Sequence, residues 1–151
     1  MKLIKHPLAE RKIQDSKLDL SVQALTLSDV RTPDAPLVYV NRGFEKMTGY
    51  QRDEVIGRNC RFLQGTDTSP AAVEQMRAAI AKGESLLIDV LNYHRNGTPF
   101  WNRLSLEPVV NPEGEVSHYI GIQSDISRMR SLQDRLHAIA IDLTKDEPHL
   151  I

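Results

Sequence analysis

The stretch Gly57-Arg58-Asn59-Cys60-Arg61-Phe62-Leu63-Gln64-Gly65 concentrates the reactive chemistry of this chain, because it holds the only cysteine among 151 residues. Basic residues flank that cysteine, an apolar pair follows, and the amide of Gln64 comes next. A thiol in this setting can be a nucleophile or an oxidisable group, or it can be a small core residue, the usual fate of an intracellular cysteine. A thiol hydrolase or transferase also needs a positioned histidine base. His6, His94, His118, His137 and His149 are scattered over turns, strand edges and tails. None is spaced as a partner for the thiol or as a metal-ligand set. Hydrolysis and metal chemistry find little support, and Cys60 is left as either a core residue or a reactive thiol.

Asn92, Asn102 and Gln123 form a second set. Each lies on a β-prone stretch, and each can donate and accept hydrogen bonds at once. If their face points inward, three amides enter a largely apolar interior. There they bond to one another, to backbone or to a polar ligand, and three on adjacent strands favour the ligand. Arg61 and Arg77 carry guanidinium forks that match phosphate, although as isolated residues both read as solvated surface arginines. A Gly-rich phosphate cradle is missing, so neither a Rossmann nor a P-loop reading has support. A bound phosphate would be held by side chains.

The elements that must position these residues follow from pattern. A strand is expected over 22–28, turn chemistry with two prolines over 29–36, a second strand over 37–41, and a short helix over 42–48 closed by Gly49. Ser69-Pro70 marks a helix start; the helix over 71–82 puts Val73, Met76 and Ile80 on one face, and Gly83 stops it. Strands over 84–93, 98–110 and 116–126 follow, joined by turns at Asn96-Gly97 and at 111–114. The order is α+β, a strand pair and short helices before a three-strand antiparallel meander. The outward face of the meander would carry Leu91, Trp101, Ile120 and Ile122, which need a cover. Met129, Leu132, Leu136, Ile139 and Leu143 recur at spacings of three or four. They predict a heptad-type helix, stopped near Pro148, that packs on the outer sheet face, on a second copy of the chain, or on both.

The length suits one domain with a sizeable core and an extra helix. A net charge of −1 gives no pull toward nucleic acid or a membrane surface. No apolar run reaches spanning length, and the N-terminus lacks the apolar core of a signal peptide. A single cysteine fits a reducing, cytoplasmic setting.

Six segments agree in order and spacing with one known pattern: Tyr39-Val40-Asn41 with Phe44, Thr48-Gly49-Tyr50, the Gly57 to Gly65 string, Asn92-Tyr93-His94-Arg95-Asn96-Gly97, Phe100-Trp101-Asn102 and Gly121-Ile122-Gln123. Together they resemble the signature of the LOV (light, oxygen, voltage) branch of the PAS superfamily over roughly residues 24 to 126. The resemblance implies an α+β PAS/LOV fold: a five-stranded antiparallel sheet with short helices enclosing a flavin, plus terminal helices. It divides the chain into an N-terminal helical extension (1–20), the core (21–126) and a C-terminal amphipathic helix (127–151).

The same resemblance implies a blue-light photoreceptor, not an enzyme. Its FMN would form a reversible covalent adduct with the motif cysteine on illumination. Matched residue by residue, Cys60 takes that role. Asn92, Asn102, Gln123 and Gln64 take the ring hydrogen bonds, Asn59 the ring edge, and Arg61 and Arg77 the phosphate. Leu104, Leu106, Val90, Phe44, Ile56 and Leu63 would be apolar walls, and Glu54 with Arg95 a surface ion pair. No kinase, helix-turn-helix or other effector follows the core, so the chain is similar to a short bacterial-type LOV protein. Such a protein signals through terminal helices or a homodimer interface to an unknown downstream protein, with no nucleic-acid or membrane partner. Two other functions compete. One is a flavin-binding redox sensor or flavoenzyme using Cys60 as an oxidisable thiol. The other is a PAS-like module whose pocket holds a different ligand or none.

Overall fold

A computed structural model describes residues 23–145. The expected N-terminal extension and the stop at Pro148 lie outside the described residues. The element order is β1 (Ala24–Asp29), β2 (Leu37–Val40), α1 (Arg42–Thr48), α2 (Arg52–Val55), a 3-10 turn (Cys60–Leu63), α3 (Pro70–Lys82), β3 (Leu86–Tyr93), β4 (Pro99–Val110), β5 (Val116–Asp125) and α4 (Ser127–Lys145). The five strands form one antiparallel sheet in the order β2-β1-β5-β4-β3.

Local chemistry explains the helix ends. Asn41 caps α1: its side-chain oxygen accepts from Phe44 N at 3.0 Å and from Leu25 N at 2.8 Å, tying β1 to the helix start. Ser69 caps α3 with Pro70 in the first turn, and Gly83 ends it at φ 68°, a conformation that costs glycine nothing.

Period two sorts the meander as expected. Val90, Asn92, Phe100, Asn102, Leu106, Tyr119 and Gln123 are buried, while Leu87 and Ile120 on the alternate positions are exposed. The strand pair and the short helices enclose a cluster of Ala24, Leu37, Val40, Phe44, Val55 and Leu63, with Cys60 and Phe62 packed against it. Full burial of such side chains stabilises the fold by about 1.5–3 kcal/mol each.

Of the placements expected for the last helix, packing on the outer sheet face is confined to its first turn. Its first turn is anchored: Trp101 N donates to Ser127 Oγ at 2.8 Å, Ile126 N donates to Trp101 O at 2.9 Å, and the Arg130 guanidinium lies 3.8 Å from the Trp101 ring centroid. Beyond that turn no residue of α4 is buried. Leu132, Leu136, Ile139 and Leu143 are exposed. Among the described residues this stripe meets no partner that buries it.

Candidate functional site

A cavity of roughly 650 Å³ lies between the inner sheet face, α3, the 3-10 turn and the β1–β2 loop. Asn59, Cys60, Arg61, Leu63, Gln64, Arg77, Val90, Asn92, Asn102, Leu104, Leu106 and Gln123 all line it. Residues as far apart in sequence as 59 and 123 are thus gathered around one cavity. Phe44 and Ile56 are not among the lining residues. Phe44 is fully buried in the core cluster, because the Asn41 cap turns α1 toward β1 and β2 rather than toward the cavity.

Cys60 opens the 3-10 turn, with Asn59 as its cap accepting from Arg61 N at 2.9 Å. Burial pushes the thiol from an ordinary value of 9.0 up to about 12, so it is a neutral S–H at physiological pH. Arg58 and Arg61 do not activate it: Arg58 sits over the Phe62 ring, and Arg61 pairs with Asp34. Among the described residues no histidine serves as its base either. His94 stacks on Phe100 at 4.3 Å, and His118 meets Ser117 Oγ at 2.9 Å. Among the described residues no cluster could hold a metal ion, and no helix is long and apolar enough to cross a membrane.

The three inward amides are only partly satisfied. Asn102 Nδ2 donates to Asn92 Oδ1 at 2.9 Å, and Asn92 Nδ2 donates to Leu91 O at 3.3 Å. Gln123 Nε2 donates to Thr26 Oγ1 at 3.1 Å. Asn102 Oδ1 and Gln123 Oε1 are left buried without a partner. Such orphans are rare and costly, so two facing one cavity call for a ligand with hydrogen-bond donors. A flavin ring edge, a ring N–H between two carbonyls, fits that demand. The cavity mouth is cationic but committed. Arg61 pairs with Asp34, and Arg77 pairs with Glu74 at 2.9 Å on the α3 surface. Arg95 and Glu54 pair at 2.9 Å on the exposed side of α2, away from the cavity.

Sequence reasoning missed Thr26 and the loop residues Thr32 to Ala35, all on the cavity wall. A threonine on a β-prone stretch gives no sign that it will face an amide from the far end of the chain. Val73, Met76 and Ile80 also line the cavity; their shared helix face was the readable signal.

The PAS domain profile matches residues 24–128, so the chain is a PAS domain. It is 42% identical over 110 residues to a blue-light-activated histidine kinase from Brucella anthropi, covering 73% of this chain and 22% of that protein. It matches the LOV domain of the blue-light-activated histidine kinase of Erythrobacter litoralis at 45% identity and TM-score 0.68, covering 70% of this chain and 96% of that domain. It also matches an RNA-binding light-oxygen-voltage receptor at 40% identity and TM-score 0.77, covering 89% of this chain and 36% of that one. The chain belongs to the LOV branch of the PAS superfamily. It spans about a quarter of the length of the curated relatives it matches.

Proposed function

We propose that this domain is a blue-light photoreceptor that holds FMN in the 650 Å³ cavity and uses Cys60 as its photoactive thiol. One observation carries the reading: a neutral thiol and two unpartnered buried amide carbonyls line the same cavity. When bound, a flavin supplies blue-light absorption and a ring carbon to which a thiol adds reversibly. The protein's share is orientation. Asn92, Asn102, Gln123 and Gln64 would hold the polar ring edge through their amides. Val90, Leu104 and Leu106 would wall the ring, and Arg61 and Arg77 would bind the phosphate. The thiol stays protonated, which suits addition with its own proton and disfavours the redox-sensor alternative, since oxidation proceeds through the thiolate.

Gln123 also suits a signalling role. Its strand β5 runs directly into the Ile126–Trp101 and Ser127–Trp101 hydrogen bonds that anchor α4. Turning the Gln123 amide end over in response to a proton gained by a bound ring would exchange the Nε2–Thr26 bond for one through Oε1. That disturbs the β1–β5 seam and the anchor of α4. The exposed apolar stripe of α4 fits a second copy of the chain, so the output is a change in a homodimer or in a downstream partner interface, not turnover. The PAS core serves as sensor and α4 as output helix.

The test is the visible absorption of dark-purified protein before and after a blue flash, beside Cys60→Ala. Flavin bands that bleach and recover in the wild type but persist in the variant are expected. A colourless protein, or a yellow one indifferent to light, overturns the proposal.

A further inference from the structure

The β1–β2 loop closes over the cavity mouth in an uncommon way. Asp34 and Ala35 are consecutive non-glycine residues with positive φ, 70° and 44°. For Ala35 in particular this is a strained conformation that persists only when its surroundings hold it. Two side chains hold Asp34 there, both from the segment that carries Cys60, while Ala35 N donates to Thr32 O at 3.0 Å. Asn59 Nδ2 donates to Asp34 O at 2.7 Å, and the Arg61 guanidinium forks onto the Asp34 carboxylate at 3.1 and 2.5 Å. All five residues line the cavity. The Arg61 guanidinium beside Asp34 holds its carboxyl below the usual range, so the aspartate is charged at neutral pH.

We infer that Asp34 is a specificity-determining residue of the flavin site: it competes with a ligand phosphate for Arg61 and so narrows the preference for phosphorylated over unphosphorylated flavin. This rests on the flavin-binding reading above. The fork takes one N–H from each terminal nitrogen of Arg61, so a phosphate on the remaining donors shares a guanidinium already neutralised and sits beside the Asp34 negative charge. A flavin without phosphate makes no such demand and leaves the Asp34–Arg61 pair intact. The charge on Asp34 therefore penalises only one of the two ligands.

The experiment uses the full chain stripped of flavin, titrated with FMN and with riboflavin by fluorescence quenching. Asp34→Asn keeps the shape and tolerates positive φ; Asp34→Ser replaces it should the first variant fail to fold. FMN affinity is expected to rise by about threefold in the variant while riboflavin stays within about twofold, the scale of one exposed ion pair. Raising salt in the wild type should weaken FMN binding more than riboflavin binding. Equal shifts for both ligands, or a fall in the FMN preference, overturn the role of Asp34 while leaving the flavin site standing. Wild-type protein that binds neither flavin overturns both readings.

Discussion

Gln123 on β5 donates from Nε2 to Thr26 Oγ1 on β1 at 3.1 Å, while its own carbonyl oxygen stays buried and unpartnered. The bond crosses the seam between the first strand and the last, where Gln123 pairs with Ala24 and with Leu104. A single amide thus touches the cavity and the strand that leads to α4.

Replacing Gln123 by leucine removes the turnable amide and keeps the volume. The light-induced bleaching should survive in Gln123→Leu, and any light-dependent change in oligomeric state or helix content should vanish. Light-scattering and far-UV circular dichroism of dark and lit samples read the two. A light response equal to that of the wild type would sink the Gln123 route.

The neutral Cys60 thiol has a pH signature. An unfolded cysteine ionises near 9, whereas the folded one does so at about 12. The folded state therefore gains its full benefit below about pH 8.5 and loses it progressively as pH rises toward 12, at up to about 1.4 kcal/mol per pH unit. Flavin-free wild type should lose more stability than Cys60→Ala between pH 8 and 11, as read by urea titration. Native labelling by iodoacetamide at pH 8 should also run at least about 100-fold slower than in urea.

Gly121 lies opposite Thr26 on the cavity floor. An added Cβ would collide with Thr26 Oγ1 and come within 3.0 Å of Gln123 Nε2. Gly121→Ala should cost about 1–3 kcal/mol and lower flavin occupancy, because both neighbours are buried and short of room. A variant with unchanged melting temperature and flavin content would refute this.

Asn41 is fully buried, with its amide bonded to Phe44 N, Leu25 N and Gln23 O. Asn41→Ala strands those groups and removes a helix cap. A loss of about 2–4 kcal/mol in urea unfolding is expected, larger than for an exposed cap.

The apolar stripe of α4 is tested by Leu132→Glu with Leu136→Glu. Both side chains are exposed in the single chain, so the monomer fold should be untouched. Dimer should be lost in sedimentation if the stripe is the interface; a dimer that persists places it elsewhere.

Much of this protein is written locally. The faces of β3, β4 and β5 follow from alternation, which sets Asn92, Asn102 and Gln123 on one face; that this face is the buried one is decided by packing. The end of α1 at Gly49 and both ends of α3 are legible too, since Gly49, Ser69 and Gly83 act through bonds within a few residues. The motif around Cys60 and five further segments together carry the resemblance to the family.

What only the tertiary structure decided depends on distant partners. The β1–β5 pairing joins residues nearly a hundred positions apart, and it alone sets Thr26 against Gln123. Backbone bonds between Leu37 and the Gly57–Arg58 segment likewise bring Asp34 onto Arg61, turning two ordinary surface charges into one clasp at the cavity. Sequence periodicity states which face of an element is apolar, because that is fixed by its own geometry. It does not state which other element will meet that face, because that is settled by the packing of the whole chain.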